Sequence, residues 1–315
     1  MTVSARSSAA PLPVVMLGFP RSCTTLLSRI LDAHPAVSCP PETNLLGACG
    51  RFLRETGTDG PPLGVLSGLA LAGIPPEDLL AELRRLVFSL HARLADGKPV
   101  WVEKSGFDIF YLAEIERLLA GHCKFLCIHR NPLDVVASMR DLVDKAGHYM
   151  PELHAYLLRH DSPLHAFAGA WMDRADALAA FIRRQPDHCH IVRYEDLVAN
   201  PEGVLTAVTA FIGVAPLTPA QIGAAIADPG RIGLGDWKVF ERPAVDTASI
   251  GRWRQALPRA TAARLIPLLA PYLERCGYKV PSAGADVAPA EVLRRFGIAA
   301  RMRLSQAQRP AEPTP

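Results

Sequence analysis

The chain has 315 residues with an apolar fraction of 49% and a charged fraction of 21%, the composition of an ordinary soluble globular protein. That length can bury a sizeable core in one large α/β domain, or in two domains. A net charge of +3 is too mild to imply nucleic acid and asks only for a local basic site facing an anionic ligand. No stretch approaches the roughly 18 apolar residues of a membrane span, and Met1 to Pro13 lacks a basic start and a long apolar run. The chain therefore reads as cytoplasmic. Its seven cysteines are odd in number and lack CxxC spacing, which favours buried free thiols, Cys123 and Cys127 among them, over zinc or a disulfide framework.

In chain order, residues 1–12 read as a flexible lead. An apolar run, Val14-Val15-Met16-Leu17, predicts a buried strand over 13–19, followed by an amphipathic helix over 24–33. Ala36 to Cys39 reads as a short second strand, left through Pro40-Pro41-Glu42-Thr43. The Gly- and Pro-rich stretch 46–71 predicts loops and short helices over a site. Leu79, Leu80, Leu83, Leu86, Val87 and Leu90 predict a helix over 76–94 that opens on Pro-Glu-Asp. Val100-Trp101-Val102-Glu103 is a brief strand ending at Lys104. A helix over 108–120, a strand over 124–129 and a helix starting at Pro132 follow. Residues 141–163, with Asp141, Asp144, Lys145, His148, His154 and His160, read as a surface insertion. A long helix over 164–184, a strand over 190–194 and a helix running to Phe211 come next. After position 281 the composition shifts towards Ala, Pro and basic residues, a tail disordered at its end. The expected organisation is a lead over 1–12, one domain over 13–283 and a tail over 284–315. Strands alternating with helices imply a mostly parallel, doubly wound α/β sheet with ligands at the carboxyl ends of its strands and helical lids over 44–75 and 141–163.

The segment Gly18-Phe-Pro-Arg-Ser-Cys-Thr-Thr25 lies between the first strand and the first helix. There, unpaired backbone N–H groups and the positive end of the helix dipole converge, which makes an anion site. Its spacing is that of the Walker loop G-x4-G-K-[ST], but Cys23 replaces the second glycine and Thr24 replaces the lysine. Without that lysine nothing reaches the β/γ-phosphates of a nucleoside triphosphate. Arg21 and the hydroxyls of Ser22, Thr24 and Thr25 remain for a smaller oxyanion. Cys23 must either avoid a strongly positive φ or accept strain.

At these residues the chain resembles the sulfotransferases that use 3′-phosphoadenosine 5′-phosphosulfate (PAPS). The loop is similar to the family's Pro-[Arg/Lys]-Ser-Gly-Thr-Thr, and with Arg21 and Asp32-Ala-His-Pro35 it resembles the tyrosylprotein sulfotransferase branch and its bacterial relatives. A second motif matches at Arg130-Asn-Pro-Leu-Asp-Val-Val-Ala-Ser138, whose Arg-x7-Ser pair holds the 3′-phosphate in the family. The resemblance covers about residues 13–280. It implies a sulfotransferase that yields a sulfated acceptor and adenosine 3′,5′-bisphosphate.

The resemblance also assigns roles. Lys104, at the end of its strand, and Arg21 would stabilise the bridging oxygen of the leaving phosphate, where charge builds up. Glu42, in a Glu-Thr pair leaving the second strand, would be the general base, since Lys104 is followed by Ser105-Gly106 and not by the histidine of small-molecule sulfotransferases. The rival bases are His34, read as binding backbone at the end of the first helix, and a histidine of the insertion. Ser22, Cys23, Thr24, Thr25, Arg130, Ser138, Tyr194, Lys238 and Arg252 complete the expected cofactor set. No metal is expected, because arginine and lysine supply the positive charge. Two other readings stand beside this one: a small-molecule kinase of the same loop architecture, and a non-catalytic nucleotide-binding protein with a decayed loop. The acceptor is open among a tyrosyl peptide, a saccharide, a carrier-bound intermediate and a small natural product.

Overall fold

A computed structural model describes residues 12–56, 63–227 and 247–282 of the chain. Its elements alternate from the start: β1 (Val14–Gly18), α1 (Thr24–Asp32), β2 (Val37–Ser38), α2 (Leu45–Leu53), α3 (Val65–Leu71), α4 (Pro76–Leu94), β3 (Val100–Lys104), α5 (Leu112–Leu119) and β4 (Lys124–His129). Then come α6 (Pro132–Ala146), α7 (His154–Arg159), α8 (Pro163–Arg184), β5 (Cys189–Arg193), α9 (Tyr194–Ala199), α10 (Pro201–Ile212) and α11 (Pro219–Ala227). Two further helices, α12 (Trp253–Ala256) and α13 (Arg259–Arg275), close the described chain. The residues form two compact units: the chain up to Arg130 together with Asp173–Thr247, and Asn131–Met172 together with the chain from Ala248. The lead, the tail and Lys238 lie outside the described residues.

The first unit is built on a five-stranded sheet in the order β2-β3-β1-β4-β5, with every pairing parallel. Parallel sheets are covered on both faces, so their strands read as continuous apolar runs, and all five residues of β1 are buried. Strand alternation then divides the work between faces. Val14, Met16, Val100, Val102, Leu126 and Ile128 pack with Leu27, Ile30 and Leu31 of α1 and with Leu205, Val208 and Ile212 of α10. The other face carries Trp101, which stacks on His91 of α4, and Phe125, which meets Phe181 of α8 edge-on. From the central β1 the chain winds first to β3 and β2 and later to β4 and β5. The carboxyl end of β1 is thus the switch point at which such sheets bind ligands.

Two side chains fix the end of α1. Lys98 Nζ donates to the carbonyls of Asp32, His34 and Val37 at 3.1, 3.3 and 2.7 Å, meeting the carbonyls that a helix end leaves over. His34 Nδ1 accepts from Ala36 N at 3.0 Å, which leaves Nε2 to donate to Ala215 O at 3.0 Å. His34 therefore binds backbone on both ring nitrogens, as its position before Pro35 suggests.

The second unit is helical. Asp134 of α6 accepts from Gly251 N at 2.7 Å and Trp253 N at 2.8 Å, so a single buried carboxylate ties α6 to the start of α12. Residues 141–146 are the last turns of α6 and not the start of a surface insertion. Their carboxylates face basic groups: Arg140 lies 2.7 Å from Asp141 and 3.7 Å from Asp144. Helix α13 buries Ala262, Leu265, Ile266, Leu269 and Leu273 along one side although it contains Pro267 and Pro271. Apolar spacing there outweighs the loss of two backbone donors.

Cys23 sits at φ 80° and ψ 23°, and Arg21 at φ 72°. Of the two options the sequence left for Cys23, the chain takes the strained one. A left-handed backbone costs a side-chain-bearing residue about 1–2 kcal/mol. Cys23→Gly should therefore raise unfolding free energy by roughly 0.5–1 kcal/mol in urea denaturation, glycine's greater unfolded freedom taking back part of the gain. An unchanged or lower midpoint would show that the thiol's own packing outweighs the backbone strain.

Candidate active site

The loop after β1 turns tightly. Ser22 N donates to Phe19 O at 3.1 Å, and Leu27 N to Cys23 O at 3.4 Å opens the ladder of α1. The amides of Thr24, Thr25 and Leu26 precede that ladder, so no helix carbonyl is available to them, and the helix dipole adds positive potential at the same point. Left-handed conformations at Arg21 and Cys23 on either side of Ser22 curl the loop. Ser22 and Thr24 are buried, while Arg21, Cys23 and Thr25 are half-buried. The arrangement is a cradle for a tetrahedral anion, made of amides and hydroxyls without a Walker lysine.

Arg130, the residue after β4, is buried and donates from Nη1 to Arg21 O at 2.8 Å. Its guanidinium lies 4.5 Å from the centre of the Tyr194 ring. Tyr194 begins α9 directly after β5, so two neighbouring parallel strands deliver the cation and the ring that supports it. Arginine suits this post because a planar guanidinium can stack on a ring and still present N–H groups in its own plane.

Lys104 ends β3, beside Met16 of β1 in the sheet register. Its side chain is 5% exposed, and Nζ donates to Thr25 Oγ1 at 2.9 Å and to Glu42 Oε1 at 2.8 Å. One ammonium thus joins the anion loop to the carboxylate that leaves β2. Glu42 is the wetter partner, 26% exposed. The sequence-predicted Arg21, Ser22, Cys23, Thr24, Thr25, Glu42, Lys104, Arg130 and Tyr194 all belong to the first unit.

Two predicted residues belong to the second unit. Ser138 is buried on α6, and Arg252 donates to Asp141 Oδ2 at 2.5 Å. That carboxylate engages the Arg252 guanidinium, which the sequence reading had placed on a cofactor phosphate.

Behind Glu42 lies a polar group that the sequence reading missed. Thr43 Oγ1 donates to Glu103 Oε1 at 2.9 Å and accepts from Leu45 N at 3.1 Å. Glu103 is 1% exposed, and its other oxygen lies 2.8 Å from Nε2 of fully buried His91. The approach is close but off the line of an aligned hydrogen bond, because the His91 ring lies flat on Trp101 at 4.2 Å and 10°. Asp108, also 1% exposed, has its carboxyl pushed well above the usual carboxylate range by burial and by the nearby charges of Glu103 and Glu42. The available signal was a glutamate on the same face as Trp101 in a buried strand. Period-two alternation aims Glu103 away from Lys104, towards the α4 face.

All seven cysteines are free thiols, and burial pushes the Cys123 thiol up to about 12. Among the described residues no cluster of His, Cys, Asp and Glu has the arrangement of a metal site, and no helix is long and apolar enough to cross a membrane.

Residues 13–219 match the model of the sulfotransferase family. Nodulation protein NoeE of Sinorhizobium fredii is 27% identical over 259 residues, which are 79% of this chain and 62% of NoeE. The chain thus spans less than two thirds of that relative's length. A putative protein-tyrosine sulfotransferase of Caenorhabditis briggsae is 24% identical over 273 residues, 85% of this chain and 90% of the relative. Among solved structures, the sulfotransferase domain of the curacin biosynthetic pathway shares the fold with a TM-score of 0.59 and 20% identity, over 87% of this chain and 100% of that one. The corresponding domain of the Synechococcus PCC 7002 olefin synthase gives 0.58 and 23%, over 89% and 100%. Since the family match takes in β1 to the start of α11, with both the anion loop and Arg130 inside it, the chain belongs to the sulfotransferase family.

Proposed function

We propose that this sulfotransferase moves the sulfuryl group of PAPS to a hydroxyl or amine acceptor, with Glu42 as general base and Lys104 and Arg21 stabilising the leaving phosphate. The observation that carries this reading is the Lys104 ammonium, held at 2.9 Å from a hydroxyl of the anion loop and at 2.8 Å from Glu42. In the reaction the acceptor oxygen forms a bond to sulfur while the bond from sulfur to the 5′-phosphate oxygen breaks. The acceptor's proton passes to Glu42, and the electron pair of the broken bond stays on the phosphate. Charge therefore builds on that phosphate oxygen, and a fixed cation beside it stabilises the transition state more than the ground state.

The loop supports a sulfated phosphate as ligand in preference to a triphosphate. Its amides and the hydroxyls of Ser22, Thr24 and Thr25 suit one small oxyanion group, and threonine stands where a nucleotide kinase has the lysine for its β/γ-phosphates. Arg130, braced on Tyr194, is proposed to hold the 3′-phosphate of the same nucleotide. A panel of tyrosyl peptides, saccharides, carrier-bound intermediates and small hydroxyl- or amine-bearing natural products would identify the acceptor's class. The protein-tyrosine sulfotransferase relatives put tyrosyl peptides first in that panel.

Adenosine 3′,5′-bisphosphate should raise the melting temperature strongly and ATP should not, since ligand binding to the folded state stabilises it by mass action. A larger shift with ATP would favour phosphoryl transfer and reject the reading. Arg130→Ala should weaken bisphosphate binding by roughly 1.5–3 kcal/mol in calorimetry, the scale of charged hydrogen bonds. Unchanged affinity in a folded variant would remove Arg130 from the nucleotide site.

Glu42→Gln should bind the bisphosphate normally but lower turnover by about 10²–10⁴-fold, with loss of the acidic limb of the pH–rate profile. Wild-type turnover would transfer the role of base to another group. Lys104→Ala should lower kcat far more than it raises KM for PAPS. A loss confined to KM would make Lys104 a binding residue only.

A further inference from the structure

We propose that Glu103 is a positioning residue: buried against His91, it holds Thr43 and thereby aims Glu42, the adjacent residue, at the acceptor. This inference rests on the reading of Glu42 as the base. It concerns a part of the molecule that no motif of the phosphosulfate loop touches.

The chain leaves β2 at Ser38 and passes Pro40 and Pro41 before it reaches Glu42. Prolines stiffen the approach but do not fix where the next side chain points. Asn44, two residues after Glu42, adopts a left-handed backbone at φ 56°, and α2 begins at Leu45. Glu42 thus sits in a short link between a strand end and a strained helix start, 26% exposed and with Lys104 as its hydrogen-bonded partner. A link of that kind needs an anchor if its carboxylate is to hold one direction.

Thr43 is that anchor. Its hydroxyl hydrogen goes to Glu103 Oε1 at 2.9 Å, and the same oxygen receives Leu45 N at 3.1 Å. The one side chain therefore fastens the link to β3 and also takes up an amide that the helix start leaves over. Glu103 can serve because it is itself immobile. It lies in the buried strand β3, with Oε2 at 2.8 Å from His91 Nε2. His91 is held in turn by stacking on Trp101. A carboxylate buried to this extent costs several kcal/mol unless it is paired, so its presence in the strand calls for a purpose beyond packing. The charged or titratable groups around it are His91 from α4, Asp108 from the turn before α5, Glu42 from the link and Lys104 from its own strand.

Successive residues of β3 then act on the same carboxylate in two ways. Lys104, on the α1 face, holds Glu42 by its charge, and Glu103, on the α4 face, holds the backbone beside it. Loss of the anchor should leave nucleotide binding intact, because the contacts of Thr43 with Glu103 and Leu45, and of Glu103 with His91, do not include the anion loop or Arg130.

The test uses the full chain. In Thr43→Val, amide exchange over residues 42–46 should quicken by about five- to tenfold, the scale of one lost hydrogen bond, while exchange over 18–27 stays as in the wild type. Bisphosphate affinity in calorimetry should be unchanged. Turnover of PAPS, read as bisphosphate formed with a tyrosyl peptide or water as acceptor, should fall about tenfold or more through kcat, the cost of a misaimed group. Thr43→Ser should restore both exchange and turnover. Glu103→Gln should slow turnover in the wild-type background and add little once Thr43 is valine, because it acts through that hydroxyl. Unchanged exchange over 42–46 in Thr43→Val, or unchanged turnover despite faster exchange, overturns the proposal. Exchange needs neither PAPS nor acceptor, so these outcomes stay separate from a failure of the functional reading, which would appear as wild-type turnover in Glu42→Gln.

Discussion

A buried ammonium must be met by acceptors, and the way Lys104 is met organises the first unit. Its side chain is 5% exposed and finds one oxygen on the anion loop and one on Glu42. A lysine taken out of water and left unpaired would lose its charge or unfold its surroundings. Strand β1 must therefore deliver Thr25, strand β2 must deliver Glu42, and β3 must lie between β2 and β1 for its last residue to reach both. The observed order, β2-β3-β1, meets that requirement. A buried cation shared between oxygens delivered by two different strands thus sets demands on strand order as well as on side chains.

Much of this was legible in the sequence. A continuous apolar run marked β1, and helical apolar spacing marked α1 and α4, since burial leaves its strongest trace where one face of an element meets the core. The nine residues that gather in the first unit were all named from the loop, the strand ends and the resemblance they carry. Other features left weaker traces. Helix α13 carries two prolines, which read as breakers although its apolar stripe holds. The carboxylates Asp141 and Asp144 read as part of a surface insertion, yet both lie near Arg140 of their own helix and Asp141 also pairs with Arg252, a partner from another element that leaves no local pattern. Lys238 falls outside the described residues, so of the two late residues expected at the cofactor only Arg252 is placed.

Glu103 shows where sequence reading passes over a signal that is present. Next to Lys104 it looks like half of a charged pair at a strand end, and a charge run is usually solvated. Alternation contradicts that reading, because Val100, Val102 and Lys104 share one face and Trp101 and Glu103 the other. Both faces of a parallel sheet are covered, so the glutamate could not reach water and had to find partners inside.

The backbone of the anion loop obeys the same logic of local cost and local purpose. Arg21 and Cys23 both adopt φ values near +75° that glycine would reach freely. At position 21 the side chain has a reason to be there, since a guanidinium beside the loop adds positive charge where an anion binds. At position 23 the thiol makes no comparable contribution to an anion, and the left-handed turn is the part that matters, because it turns the amides of α1 to one point. Strain of this kind persists only where the surroundings fix the conformation. Here Arg130 Nη1 on the Arg21 carbonyl and the Ser22 turn on Phe19 O do so from two sides. The loop's shape is thus held in part by Arg130, the arginine proposed to hold the nucleotide, and under that proposal shape and charge are coupled through one side chain.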